Sequence, residues 1–217
     1  MKPWEEPISI ETEKKIIQYM PAFDNVTLLD FGAGYGRYLN MFSKYIDKKN
    51  IYGAEIDEDS LSKIKGQGYN CFKPEYSRPE LPFENEFFDY IFVSNVMEHI
   101  PNRLYKKYLS EFHRVIKPYG ILLFGAPNYP FKRLYDLQKA FKTKKYRYYL
   151  LDDPTHCNKL SIARYERDFR AYFSEVRFEP TEILFENKIS CIKNNRYKLR
   201  YFCDKLFGYC KKKIMFL

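Results

Sequence analysis

The stretch Leu28-Leu29-Asp30-Phe31-Gly32-Ala33-Gly34-Tyr35-Gly36-Arg37 constrains the fold of this chain more than any other. An apolar run ends in an acid, and glycines follow at alternate positions. The pattern reads as a buried strand, a tight loop and the start of a helix. Glycine has no Cβ to hold a ligand away from the backbone and tolerates positive φ, so the loop is built to approach a small molecule. The spacing is G-x-G-x-G, and the sixth position, which a dinucleotide fingerprint fills with Gly or Ala, holds Arg37. That argues against a nicotinamide cofactor. In the second strand-like segment, Ile51-Tyr52-Gly53-Ala54-Glu55-Ile56-Asp57, Glu55 falls where α/β nucleotide folds place the acid that accepts hydrogen bonds from ribose hydroxyls. Both features point to a ribose-bearing cofactor.

The rest of the chain continues the alternation. Helices are expected over Ser9–Met20, with Ser9 as N-cap, and over Arg37–Ile46, Asp59–Lys65, Asn102–Ile116 and Ser161–Phe173. Strands are expected over Val26–Asp30, Asn50–Glu55, Tyr69–Phe72, Phe88–Ser94, Ile121–Gly125 and Val176–Phe185, with Lys117-Pro118-Tyr119-Gly120 as the turn that ends the helix before strand five. This order implies an α/β fold with a doubly wound, mainly parallel sheet that binds ligands beyond the carboxyl ends of its strands. Asp30, Glu55 and Asn95 all stand at such ends. Arg196–Gly208 has helical spacing at Leu199, Phe202, Cys203, Leu206 and Phe207. It is expected to pack on the sheet, with Lys213–Leu217 as an antiparallel last strand; a membrane-surface helix carrying Lys198, Arg200 and Lys205 is the alternative.

At 217 residues the chain can bury a full core and is expected to form one domain. Its opening lacks the basic-then-apolar order of a signal peptide, no apolar run is long enough to cross a bilayer, and the five cysteines show no C-x-x-C pair, so a cytoplasmic protein with reduced thiols is expected. Charge divides the chain. Residues 1–130 carry 16 Lys+Arg against 18 Asp+Glu, a net of −2, whereas residues 131–217 carry 21 against 10, a net of +11. Such a field attracts an anionic substrate, a nucleic acid or an acidic membrane surface; the alternative is a solvated basic face.

Four motifs in order now define a resemblance. Besides the glycine loop, they are Leu81-Pro82-Phe83-Glu84-Asn85-Glu86-Phe87-Phe88-Asp89, then Ser94-Asn95-Val96-Met97-Glu98-His99-Ile100-Pro101, then Arg114-Val115-Ile116-Lys117-Pro118-Tyr119-Gly120. Together they resemble the class I S-adenosylmethionine-dependent methyltransferases of the UbiE/UbiG-like group, with Tyr119 in place of a glycine. The resemblance implies a Rossmann-like, seven-stranded, mostly parallel sheet with an antiparallel last strand. It implies one methyltransferase domain: a cofactor half over 1–128, a lid or substrate insertion over 129–160, and C-terminal helices with the last two strands over 161–217. S-adenosyl-L-methionine is the implied cofactor. Asp30, Phe31, Gly32, Ala33, Gly34 and Gly36 would face its methionine part, Glu55 its ribose and Ile56 its adenine, while Asn95 would lie near the reactive methyl. The acid that contacts the adenine amino group in this family has Ser77 or Glu75 as its nearest counterpart here.

Methyl transfer from a sulfonium is an in-line displacement with an activated leaving group, so alignment and exclusion of water are the protein's main tasks. A hydroxyl acceptor also needs a base. His99, after strand four, and His156, in the long connection after strand five, are the general-base candidates, whereas His113 reads as structural. Glu98-His99 alone does not make a metal site, and no metal is expected. Lys142, Lys144, Lys145, Arg147 and Tyr148 interleave cations with aromatics and are expected to bind an anionic substrate. The expected activity is O- or N-methylation of a small or lipid-linked anionic acceptor, such as a sugar or glycan precursor, with peripheral membrane contact through the basic C-terminal part. A catalytically silent binding module and an RNA methyltransferase are the competing readings, and the absence of a separate RNA-binding domain weighs against nucleic acid.

Overall fold

The computed structural model describes residues 8–75, 77–129, 131–151, 153–180, 203 and 205–212, with Tyr148 through its backbone only. Ser9 caps α1 (Ile10–Ile17), its hydroxyl accepting the Thr12 amide at 3.2 Å. The wholly buried β1 (Leu28–Phe31) leads through the glycine loop into α2 (Arg37–Phe42). There follow β2 (Ile51–Ala54), α3 (Glu58–Gly66), β3 (Asn70–Phe72), β4 (Phe88–Ser94) and α4 (Asn102–Val115). The remainder comprises β5 (Ile116–Pro127), α5 (Phe131–Thr143), α6 (Tyr146–Leu150), α7 (Ile162–Phe169), β6 (Glu175–Pro180) and β7 (Lys205–Lys211).

These strands form one seven-stranded sheet in the order β3-β2-β1-β4-β5-β7-β6. β1 lies between β2 and β4 and is parallel to both, whereas β7 runs antiparallel between β5 and β6. Each face of the sheet buries its own core. On one, Ile16, Leu39, Phe42, Leu61 and Ile64 of the first three helices cover Leu28, Ile51 and Leu123. On the other, Leu104, Tyr108, Phe112, Tyr165 and Phe169 of α4 and α7 cover Leu29, Ile91, Leu122 and Phe124. This is the doubly wound α/β architecture expected from the alternation of elements.

Two expectations are corrected. No turn separates α4 from strand five: β5 starts at Ile116, directly after the helix, with a register irregularity opposite Phe88 and Tyr90. Tyr119 sits in this stretch at φ +62°. Lys212 holds the junction, its ammonium donating to the carbonyls of His113 and Ile116 at 3.0 Å each, where the end of the helix leaves carbonyls to satisfy. Second, residues 205–208, expected to close a helix that begins at Arg196, belong to a strand instead. Burial alternates along it, with Leu206, Gly208 and Cys210 buried and Phe207, Tyr209 and Lys211 partly exposed, which is the period of a strand between two others. The short apolar run Leu206-Phe207 fits either period, and pairing to β5 decides it. Lys198, Arg200 and the strand expected over Lys213–Leu217 lie outside the described residues.

Candidate functional site

The chain leaves β1 towards β2 on one side, and β4 lies on the other. The crevice beyond the carboxyl ends of β1 and β4 is therefore the switch point at which open α/β sheets bind ligands. A cleft of about 880 Å³ opens there. Of the cofactor residues read from the sequence, Gly32, Ala33, Gly34, Glu55 and Asn95 line it, whereas Asp30, Phe31, Gly36 and Ile56 are not among its lining residues. Phe31 turns into the core against Tyr108 and Phe112, with ring centroids 5.2 and 5.0 Å away. Gly36 is the N-cap of α2, and Ile56 is exposed. Thr12 and Lys15 of α1, Tyr38 of α2 and Lys205 and Phe207 of β7 complete the wall. Sequence reasoning missed these because they come from elements whose place beside the glycine loop only the tertiary fold sets.

The loop needs its glycines. Gly32 has φ +88°, and a Cβ there would lie 2.2 Å from Cγ2 of Val96. Gly34 has φ +51°, with no protein atom within 4 Å of its missing Cβ, so that side of the loop is open to the cleft. Glu55 is nearly buried and ties the site together. One carboxylate oxygen accepts the Gly34 amide at 2.7 Å, and the other accepts the amides of Ile56 and Asp57 at 2.8 and 2.9 Å. Asp57 then caps α3 through the Ser60 amide at 2.8 Å.

Asp30 lies beneath this loop, 1% exposed, and its Oδ2 has no hydrogen-bond partner. Burial, reinforced by the negative charge of Glu55, pushes its pKa up to about 8. A cation beside this carboxyl would supply the missing contact and offset the repulsion from Glu55.

A second constellation forms where the turn after β4 meets the connection after β5. Asn95 adopts φ +55°, strained for a non-glycine residue, while its amide donates to the Gly125 carbonyl at 2.8 Å. Three residues on, Glu98 is 1% exposed with Oε2 unpartnered, and burial raises its pKa to about 7 against the opposing pull of Lys205 and Lys132. His99 and His156 stand edge to face, with centroids 4.7 Å apart. Nδ1 of His99 meets the Thr155 hydroxyl at 2.9 Å, which donates onward to Asp153 at 2.6 Å; Nδ1 of His156 meets the Tyr129 hydroxyl at 2.5 Å. One ligand atom from each of Glu98, His99 and His156 lies within 4.8 Å of the others, so this set could hold a metal ion. The sequence shows both histidines but not that Glu98 completes a group with them, 58 positions before His156. His113 packs on Phe173 at 5.8 Å, as a structural residue does.

The basic segment lies apart from the cleft. Lys144, Lys145 and Arg147 border a separate depression of about 560 Å³, with Tyr146 and Tyr149, and share no lining residue with the cleft. Lys142 is exposed near the end of α5.

Comparison with known proteins agrees with this geometry. A family described as "Methyltransferase domain" matches residues 11–172, and the chain belongs to that family. Similar proteins include a demethylmenaquinone methyltransferase of Bacillus pumilus, 33% identical over 82 residues, covering 36% of this chain and 34% of that protein. Another is a ubiquinone/menaquinone biosynthesis C-methyltransferase UbiE of Vibrio vulnificus, 30% identical over 120 residues, covering 50% of this chain and 45% of that protein. These matches span less than half the length of either relative. Among solved structures, a SAM-dependent methyltransferase from Archaeoglobus fulgidus is similar with a TM-score of 0.68 at 20% identity, covering 93% of each chain, a likeness of fold.

Proposed function

We propose that this chain methylates a small or lipid-linked, negatively charged acceptor on oxygen or nitrogen, with the cofactor in the cleft and the acceptor on the side of Glu98, His99 and His156. The observation that carries the cofactor side is the buried Asp30 carboxyl, its Oδ2 without a hydrogen-bond partner, under a glycine loop tied to Glu55. When bound, S-adenosylmethionine supplies an electrophilic methyl group on a positively charged sulfur. Asp30 would hold its ammonium group and Glu55 its ribose hydroxyls, while the Gly32–Gly34 backbone lies against its methionine part. Asn95 borders the transfer position from the strained turn after β4.

On the acceptor side, Glu98, His99 and His156 act as one proton-accepting unit. A carboxylate titrating near neutrality beside two imidazoles, each steered by a hydroxyl, suits removal of a proton from an acceptor hydroxyl as the methyl arrives. Lys15, Arg37 and Lys205 on the wall favour an acceptor with negative charge. Carbon methylation is the second reading, favoured by the names of the relatives. Incubation with methyl-labelled S-adenosylmethionine and pooled sugar nucleotides, lipid-linked precursors, quinol precursors and RNA tests both. Label on oxygen or nitrogen of an anionic acceptor is the expected result. Label on a ring carbon establishes the second reading, and label only in RNA overturns both.

A further inference from the structure

Outside the cleft and the histidine cluster, the most unusual surface is the helical hairpin of α5 and α6. A helix that only covers a domain turns its apolar stripe inward. α5 buries Tyr135 and Ala140 yet exposes Leu134, Leu137 and Phe141, which follow at helical spacing on one face. Tyr146, Leu150 and Leu151 of α6 and its end are exposed as well. Thus six of the ten large apolar side chains exposed among the described residues fall within an 18-residue stretch. They belong to neither of the two sheet cores.

The hairpin is fixed rather than frayed. Arg133 donates to the Leu150 carbonyl at 2.8 Å, the Phe141 and Tyr146 rings meet at 5.8 Å, and Lys144 makes the turn at φ +57°. The flanking charge is one-sided. Residues 131–151 carry seven Lys+Arg and one acid, Asp136, which is already engaged by Lys132 at 2.6 Å. Lys142, Lys144, Lys145 and Arg147 are all exposed beside Phe141 and Tyr146.

We propose that the α5/α6 hairpin docks on an anionic bilayer surface, lying in its plane with Leu134, Leu137, Phe141, Tyr146, Leu150 and Leu151 towards the acyl chains. A protein partner could cover the apolar face, but the dense cationic rim matches a sheet of phosphate headgroups, with lysine and arginine stems reaching outward from the apolar contact. Tyrosine suits the headgroup level, having an apolar ring and a polar tip. None of the described helices is long and apolar enough to cross a membrane, so the contact is interfacial. The inference goes beyond methyl transfer and does not depend on it.

Co-sedimentation of the full chain with vesicles tests it without any methyl donor. Vesicles of phosphatidylcholine with phosphatidylglycerol should pellet the protein and pure phosphatidylcholine should pellet much less, with the difference shrinking as salt rises. The double substitution Leu137→Asp with Phe141→Asp, at exposed positions, should abolish pelleting while the melting temperature and S-adenosylmethionine binding stay unchanged. Replacing Lys142, Lys144, Lys145 and Arg147 with Gln should lower partitioning by about fivefold per cation. Failure of the wild type to pellet, or equal pelleting of the double-Asp variant, overturns the proposal. So does light scattering that finds a dimer lost on the same substitutions, since the face would then cover a second copy.

Discussion

Two buried carboxyls, Asp30 at the end of β1 and Glu98 in the turn after β4, look alike by burial and differ by surroundings. Each is 1% exposed, each has an unpartnered oxygen, and each has its pKa raised by desolvation. At Asp30 the negative charge of Glu55 adds to the burial, so its charged form is disfavoured. At Glu98 its own backbone amide, then Lys205 and Lys132, partly offset the burial while Asp153 adds to it, and two histidines stand within ligating distance. One site is set to receive positive charge and the other to take up a proton. On the proposed function the first serves cofactor binding and the second the acceptor.

The largest expected effect separates the two. If the cluster accepts the proton, His99→Ala or His156→Ala should lower turnover by about 10²- to 10⁴-fold while leaving S-adenosylmethionine affinity unchanged in calorimetry. Full activity in both variants would remove the cluster from catalysis. A strong metal chelator should leave the wild-type rate intact; loss of activity restored by a divalent cation would reassign Glu98, His99 and His156 as ligands.

Next in size, Asp30→Asn should weaken S-adenosylmethionine binding by about 10- to 100-fold, the range for a lost hydrogen bond to a charged group. Glu55→Ala should weaken it too, through the ribose contacts and the loosened Gly34 amide. Stability should move the other way in Asp30→Asn. A carboxyl whose folded pKa is about 8 keeps a proton that the unfolded chain has already released, so the wild type loses stability as pH rises from the ordinary carboxylate range to about 8. Thermal melts should therefore show Asp30→Asn gaining most at the alkaline end. A variant less stable at every pH would mean that Asp30 has a structural partner.

Smaller again is the effect of Gly34→Ala. Its Cβ meets no protein atom, so the cost to folding should be about 1 kcal/mol from the positive φ. Gly32→Ala, with the same φ problem and a 2.2 Å approach to Val96, should cost more. Denaturant melts of the two variants check the order.

Sequence pattern revealed most of the first site and little of the second. Asp30, the glycine loop and Glu55 are local signals, because each motif sits at the end of a strand whose apolar run announces it, and the strand order then brings them together. The cluster at Glu98 required the connection after β5 to bring His156 back across the turn after β4, a meeting with no local signature. Lys205 and Phe207 were hidden for a related reason. Their segment fits a helix by spacing alone, and only the open edge of β5 makes it a strand that reaches the cleft. Phe31 turns into the core and Ile56 stands exposed outside the cleft lining, placements that the alternation of a strand end sets and local sequence does not.

The central claim is that Asp30 becomes charged when it receives the cofactor. Titration calorimetry of S-adenosylmethionine in buffers of different ionisation enthalpy measures this directly. Well below pH 8, binding to the wild type should release a proton to the buffer, and affinity should rise with pH until the cofactor's own amino group, with a pKa of about 8, begins to lose the charge that Asp30 holds. Asp30→Asn should bind more weakly with no such release. Wild-type binding without proton release, or with affinity that does not rise between about pH 6 and 7, where the cofactor's amino group keeps its charge, would contradict the account.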